Sequence, residues 1–225
     1  FERRIKELAI GSDIFLGDNI AGTGTPGQIF SEGYTPYSFF VYKQLYSTDG
    51  SPIEGAFADL NGDGIINGDD RYIYKNPDPD LVLGFASSFN YKNFDFSFNM
   101  RASFGNRIYN ALKANRAYNA LLKPDAELGN VLTSVLDTNF TNVNGENVIS
   151  DIYIENGSFL RMDNITMGYT FPNWLGKASL RLFTGVQNAF IITDYDGLDP
   201  EINDGRDNTI YPRQRQFLFG ANVKF

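Results

Sequence analysis

The chain has 225 residues, a formal net charge of −8 and neither Cys nor His. The acidic balance argues against a nucleic-acid partner, because phosphate contacts need a basic surface. The absence of Cys and His excludes disulfides, thiol nucleophiles, Ser-His-Asp triads and the usual zinc or haem ligands. An aromatic content of 15% together with 22 Gly favours a β-rich protein with many turns.

The first segment, 1–33, is predicted to be an irregular lead-in. Gly22, Gly24, Pro26 and Gly27 lie close together in it, and such clusters favour loops over regular elements. The chain starts in mid-pattern and without a signal peptide, so we expect it to be a fragment or a processed product.

A first strand is predicted over 37–46, followed by a long connection over 47–80. The strand signal is weak because the run 39–42 is apolar on both faces.

The long connection contains an acidic, Gly-rich segment, Asp59-Leu60-Asn61-Gly62-Asp63-Gly64-Ile65-Ile66-Asn67-Gly68-Asp69-Asp70. Its spacing matches an EF-hand or dockerin-type calcium loop, with Gly at the sharp turn and Asp instead of Glu at the last position. The predicted ligands of a structural Ca²⁺ are the side chains of Asp59, Asn61, Asp63 and Asp70 and the backbone carbonyl of Ile65. The alternative is a solvated turn held by Asx hydrogen bonds.

The clearest strand signals are two adjacent segments, 81–91 and 94–104. In the second, Phe, Met and Ala occupy alternate positions, and Asp, Ser, Asn and Arg occupy the positions between them. Eleven residues of strict alternation match a tilted membrane-spanning strand of about 9–11 residues. The pair is joined by a tight turn around Lys92-Asn93, which predicts a hairpin.

The same alternation recurs over 164–171, 179–190 and 216–225, with Phe183 and Leu218 as exceptions, which makes six predicted strands. The remaining connections are short at 172–177 and long at 105–157 and 193–213. Short turns at one end and long loops at the other are typical of outer-membrane barrels, whose long loops are extracellular. The fold class predicted from these patterns is therefore all-β, with about six strands of a large antiparallel transmembrane β-barrel.

Charged residues on the strands and loops do not predict an enzyme. Arg101 and Arg181 fall on polar strand faces, where pairing with barrel carboxylates is favoured over contact with a substrate. The carboxylates of 78–80 and 194–199 could be taken for a glycosidase pair, but nothing fixes their separation and solvated loop charge is favoured. No catalytic residue is assigned.

Several segments, taken in order, resemble SusC-type (RagA-like) TonB-dependent outer-membrane transporters. The resemblance covers the chain from about Glu32 onward. The segments that carry it are Glu32-Gly33-Tyr34, Phe39 to Lys43, Asp59 to Gly64, Asp69-Asp70-Arg71, Asn76 to Pro79, Tyr91 to Asp95, Gly157 to Tyr169, Gln187-Asn188, Asp199-Pro200-Glu201 and Tyr211-Pro212-Arg213.

This resemblance implies that 34–225 is the C-terminal portion of a 22-stranded barrel, without its plug domain. It implies a location in the outer membrane, contact with lipid and with the remaining strands of the barrel, a SusD-like surface lipoprotein as partner, and TonB acting through the missing plug. The implied function is uptake of a large nutrient, glycan or peptide. The alternative is a soluble calcium-binding β-sandwich, either an adhesin or a carbohydrate-binding module.

Overall fold

The computed structural model describes residues 3–16, 25–119, 130–141, 148–174, 176–208 and 211–225. Within these ranges the chain is mostly antiparallel β-structure, with short 3-10 helices at Gly68–Asp70 and Asp151–Tyr153. The strands and α-helices are, in chain order, β1 (Ile14–Phe15), β2 (Gln28–Phe30), β3 (Ser38–Tyr42), β4 (Gln44–Tyr46), β5 (Pro52–Phe57), β6 (Arg71–Tyr74), β7 (Leu81–Tyr91), β8 (Phe94–Phe104), β9 (Arg107–Asn110), α1 (Ala111–Arg116), α2 (Val135–Thr138), β10 (Ile154–Asn156), β11 (Phe159–Trp174), β12 (Ala178–Thr193), β13 (Arg206–Asp207) and β14 (Gln216–Lys224). In the part of the chain that is described, neither α-helix has the length and apolar content to cross a membrane.

The chain divides into two compact units. One unit comprises 1–78, 106–156 and 201–210, and the other 79–105, 157–200 and 211–225. The first is called the loop unit here, because its last two segments lie within the long connections, and the second is called the strand unit.

The strand unit is one five-stranded antiparallel sheet in the order β14-β12-β11-β8-β7. The predicted strands over 81–91 and 94–104 are confirmed, and those over 164–171 and 179–190 lie within the longer strands β11 and β12. The predicted strand over 216–225 is β14, which ends one residue earlier, at Lys224. β11 continues through Pro172 to Trp174, so the second short turn is tighter than the sequence predicts. Asp163 is an extra residue in β11, because Met162 pairs with Met100 while Asn164 pairs with Asn99.

The first predicted strand, 37–46, differs from the prediction. It is divided into β3 and β4, and β3 joins a four-stranded sheet of order β1-β2-β3-β6 in the loop unit. The reason lies in its pattern: Phe39 and Val41 are fully buried and Tyr42 nearly so, in the core of this unit. A strand with apolar residues on both faces is suited to burial on both faces, as in a globular core, and not to a sheet with one polar face.

The loop unit has its own hydrophobic core around Tyr109, which is almost fully buried. The Tyr109 hydroxyl donates a hydrogen bond of 2.7 Å to the carbonyl of Val148, and burial raises the pKa of Tyr109 well above its usual value. The backbone N–H of Tyr109 donates to the carbonyl of Gly205, and that of Tyr42 to the carbonyl of Ile149. The long connections therefore contain packed structure where the sequence predicts loops.

Candidate functional site

The two faces of the five-stranded sheet differ in polarity along every strand. Directly paired residues of an antiparallel sheet point to the same face. Phe96 pairs with Met167 and Phe89, whereas Ser97 pairs with Thr166 and Ser88. The register places the apolar residues of the alternating pattern on one face of the sheet, called here the apolar face. They include Phe96, Phe98, Leu180, Leu182, Phe217 and Phe219. The polar residues between them lie on the opposite face, called here the polar face, and include Ser97, Asn99, Arg181 and Asn222.

The apolar face is most exposed on the two outer strands of the sheet and half-buried at Phe96 and Phe98 in the middle. Phe85 and Phe89 on β7 are 56% and 58% exposed, and Phe217 and Phe219 on β14 are 64% and 82% exposed. Soluble monomers rarely expose continuous apolar areas of this extent, and such areas mark protein or membrane contacts. The eleven residues of β8 rise about 33 Å at ~3.3 Å per residue, and a tilt of ~40° converts this to ~25 Å, the height of the apolar band of an outer-membrane barrel.

Aromatic side chains mark the short-turn end of the apolar face. Phe94 pairs with Tyr91 on one side and with Tyr169 on the other. The Tyr169 ring contacts the Phe171 ring edge-on at 4.8 Å between centroids. Tyrosine combines an apolar ring with a polar hydroxyl and is enriched at membrane interfaces. This end of the sheet has the composition of an interfacial aromatic girdle.

The polar face carries two ion pairs between strands. Arg101 Nε lies 2.9 Å from Asp163 Oδ2, and Arg181 binds Asp95 through two hydrogen bonds of 2.9 and 2.5 Å. The prediction that both arginines pair with carboxylates is confirmed. Because Asp163 is the extra residue of β11, the irregularity in that strand supplies the partner of Arg101.

Two glycines give these large polar-face side chains room to lie flat on the sheet. A Cβ atom on Gly168 would lie 2.6 Å from Arg181 Nη2 and 2.7 Å from Asp95 Oδ1, so the ion pair crosses β11 directly above this glycine. A Cβ atom on Gly220 would lie 2.3 Å from the ring of Phe183, which itself stacks under the Arg181 guanidinium at 5.0 Å. The exception in the alternation, Phe183, therefore packs over β14 instead of pointing away from the sheet.

A buried ionic network fixes the connection between β12 and β14, and sequence reasoning missed it. Asp199, 4% exposed, accepts from Arg161 at 2.6 Å and lies 3.3 Å from Arg213 Nε. Asn188 accepts from Arg161 at 2.8 Å, and its side-chain amide donates to the carbonyl of Arg213. The interpretation of Asp199 as solvated loop charge is wrong. Asn188 departs from ordinary strand geometry there, with a backbone φ of 49°, a region that Asn adopts more often than most L-residues.

The predicted calcium ligands lie in one loop of the loop unit. Asp59 accepts hydrogen bonds from the backbone of Gly62 and Gly64, and Asp63 Oδ1 accepts from the backbone of Ile65. Asn61 Oδ1 accepts from the backbone of Asp63. Gly62 and Gly64 both have positive φ, at 77° and 82°, as the sharp turn requires. These contacts are of the Asx type, and they leave further acceptor positions on the carboxylates.

Asp70, the last predicted ligand, is fully buried. Its Oδ2 accepts from the backbone of Asn67 at 2.9 Å, and its Oδ1 accepts from Leu60 at 2.9 Å. The pKa of the Asp70 carboxyl is lowered, mainly by the hydrogen bond from the N–H of Asn67. Burial acts in the opposite direction, whereas hydrogen bonds from Leu60, Asn61 and the Asp59 side chain lower the pKa further. Among the described residues, no three acidic side chains are gathered closely enough to form a metal site by themselves.

Comparisons with known proteins agree with this architecture, although no family model matches the sequence. The TonB-dependent receptor SusC of Bacteroides thetaiotaomicron is 42% identical over 98% of this chain, which corresponds to 23% of that receptor. TonB-dependent receptor P3 of Formosa agariphila is 32% identical over 100% of this chain and 26% of its own length.

Solved structures show the same fold. The RagAB peptide importer in its open-open state matches 99% of this chain and 25% of its own chain, with a TM-score of 0.69 and 19% identity. Its closed-closed state matches 97% and 25%, with a TM-score of 0.69 and 21% identity. The chain thus spans about a quarter of the length of these proteins. With 42% identity to SusC along nearly its whole length, the chain belongs to the SusC-type TonB-dependent receptors.

Proposed function

We propose that the chain forms the C-terminal part of the wall of a multi-pass outer-membrane β-barrel that imports a large nutrient, a glycan or a peptide. The observation that carries this proposal is the two-faced sheet. An exposed apolar face suits contact with lipid, and the opposite face, with paired Arg and Asp side chains, suits a water-filled lumen. The names of the relatives, a TonB-dependent receptor and a peptide importer, support import as the function of the whole protein.

The edges of the sheet support incorporation into a larger barrel. β7 and β14 each have one neighbouring strand, so their outer edges have no strand partner among the described residues. In lipid, unpaired backbone N–H and C=O groups cost several kcal/mol each, so a sheet in a membrane has to close. We infer that the remaining strands of the same transporter pair with both edges.

The alternative, a soluble calcium-binding β-sandwich, requires the Phe side chains to pack against a second sheet. Phe85, Phe89, Phe217 and Phe219 are instead more than half exposed. The exposed apolar face therefore supports the barrel over the adhesin or carbohydrate-binding module.

Two partners belong to the proposal: a SusD-like surface lipoprotein on the extracellular side, and TonB, acting through the plug region outside this chain. The test uses the full-length receptor of the native host. An affinity-tagged receptor, solubilised in detergent, should co-purify with a lipoprotein, and deletion of its gene should abolish growth on one glycan or peptide source from a panel. Recovery of the receptor in the soluble fraction, with unchanged growth on every source, would refute the proposal.

We also propose that the loop over 59–70 binds a structural Ca²⁺ through Asp59, Asn61, Asp63 and Asp70 and the carbonyl of Ile65. The donors are the hard oxygen ligands that Ca²⁺ prefers. The placement of Asp59, Asn61 and Asp63 in one turn supports the proposal, since each accepts backbone hydrogen bonds there and keeps further acceptor positions for a cation. The ion would stiffen this loop of the loop unit.

The calcium proposal is tested on the full-length receptor by calorimetry with CaCl2, with MgCl2 and after chelation. Asp63→Asn should weaken calcium binding, because it removes a charged ligand. Asp69→Asn is the matched control, since Asp69 is an exposed carboxylate of the same loop outside the predicted ligand set. Equal heats of binding for both variants, or no calcium-dependent heat in the unsubstituted protein, would favour the Asx-turn alternative.

A further inference from the structure

A cavity of about 200 Å³ lies in the strand unit between the end of β12 and the start of β14. Its polar lining consists of Arg161, Arg213, Arg215, Asp199 and Asn188. The cavity includes the network described above. It is open to solvent where Arg213 and Arg215 lie, because both residues are exposed.

The charges around the cavity do not balance. Three guanidinium groups face one carboxylate, which leaves an excess of two positive charges among the lining residues. Arg161 and Arg213 share Asp199, whereas Arg215 makes no ion pair with any described residue. This local excess occurs in a chain whose formal net charge is −8. A half-enclosed cationic concavity concentrates field lines and raises the local concentration of anions.

Two of the three arginines are held in position before any ligand arrives. Asp199 fixes Arg161 and Arg213, and Asn188 holds the Arg213 backbone through its side-chain amide at 2.8 Å. Guanidinium groups form bidentate hydrogen bonds with planar or tetrahedral oxyanions. Groups that are already oriented lose less conformational freedom on binding, so the network lowers the cost of capturing a ligand.

The rim of the cavity is apolar. Leu198 is 58% exposed, and Phe190 and Ile191 also line the cavity with exposed side chains. A ligand that has an oxyanion joined to an apolar body would match both the charge and the rim.

We propose that this cavity binds a carboxylate or phosphate group of a small amphipathic ligand, held between Arg213 and Arg215. The group can belong to a dissolved solute or to a lipid headgroup, because both present the same oxygens to the arginines. The proposal does not depend on the transport function, since it follows from the charges and shape of this cavity alone.

The test measures the melting temperature of the full-length receptor in neutral detergent. A ligand that binds the folded state raises the melting temperature according to its concentration relative to Kd. The solute probe is N-acetyl-leucinate, compared with neutral N-acetyl-leucinamide at equal ionic strength. The lipid probe is short-chain phosphatidic acid in mixed micelles, compared with the phosphatidylcholine of the same chain length.

We expect at least one anionic probe to raise the melting temperature above its neutral counterpart. Arg215→Gln should weaken that probe on the order of tenfold or more, the value of one charge-assisted hydrogen bond, and Arg215→Lys should weaken it less. Lys224→Gln, which removes an exposed cation of the same strand β14 outside the cavity, should leave the affinity unchanged. A response to the leucinate assigns a solute ligand, and a response to phosphatidic acid alone assigns a lipid headgroup. Anionic and neutral probes of equal effect, or equal losses in Arg215→Gln and Lys224→Gln, would overturn the proposal.

Discussion

Replacement of Phe98 by Arg tests which face of the sheet contacts lipid. Phe98 is the fifth of eleven residues in β8, close to the middle of the strand. It pairs with Ser87 of β7 and with Ile165 of β11. Its ring lies 5.7 Å from that of Phe85 and 5.8 Å from that of Phe96, between centroids. The substitution Phe98→Arg would therefore place a cation near the centre of the apolar face.

Two terms set the expected loss of stability. An Arg facing lipid at the midplane costs about 2–4 kcal/mol, falling to about 0–1 kcal/mol near the interfaces. The two lost ring contacts of Phe98 add about 0.5–1.5 kcal/mol each. The sum is about 3–7 kcal/mol. The same change one residue along, Asn99→Arg, lies on the polar face, where a surface substitution costs within about 0.5 kcal/mol.

The measurement is equilibrium denaturation of the full-length receptor refolded into lipid vesicles, with both variants compared with the unsubstituted protein. Phe98→Arg should lower the free energy of unfolding by several kcal/mol and Asn99→Arg by far less. The two substitutions introduce the same cation on opposite faces at almost equal depth, and Phe98→Arg also removes the ring contacts of Phe98. Equal losses for the two variants, or a larger loss for Asn99→Arg, would show that the face assignment is wrong.

Three further predictions concern particular contacts. Gly168→Ala should destabilise the sheet by about 1 kcal/mol in thermal or chemical unfolding, because the new Cβ atom would displace the ion pair above it. Gly84→Ala is the control and should be neutral, because Gly84 has open space around it. Asp199→Asn should lower the free energy of unfolding by about 3–5 kcal/mol in the same assay, because it removes the charge that compensates the buried guanidinium of Arg161. Asp194→Asn, at an exposed position of the same connection, should have little effect. Because its pKa is lowered, the Asp70 carboxylate should still accept its hydrogen bonds at the ordinary carboxyl pKa of 3.8 and lose them only as pH falls through the lowered value. Protection factors of the 59–70 amides, which are corrected for the intrinsic exchange rate, should therefore hold down to pH 3.8 and fall in stronger acid.

The strand unit was largely predictable from sequence because its side chains alternate. The alternation over 94–104 sets both the strand and its faces, and a shift of one residue in pairing would turn Phe96 toward the polar face. Register with β7 follows from the two-residue turn at Lys92-Asn93, where Lys92 adopts a φ of 54°. Local pattern and turn geometry therefore suffice for this sheet.

The loop unit and the ionic network were not predictable in the same way. β13 pairs in parallel with β9, and Arg161 meets Asp199 across 38 residues of chain. Such contacts depend on tertiary packing and have no periodic signal. The apolar residues Ile108, Ala111 and Leu112 stand at helical spacing in the sequence, yet Ile108 lies in β9 and α1 begins only at Ala111.

The composition of the loop unit from three separated stretches of chain has a consequence for the order of folding and for engineering. The hairpins β7–β8 and β11–β12 join neighbours in the chain, whereas Tyr42 bonds to Ile149, and Tyr109 to Gly205, across on the order of a hundred residues. Local hairpins form quickly, and contacts of such long separation form late. The hairpins of the strand unit can therefore form while the loop unit is still unfolded. The three stretches of the loop unit also pack against one another, so replacing one of them with the corresponding stretch of a relative would remove contacts that the other two need. In engineering, the three stretches should therefore be exchanged together.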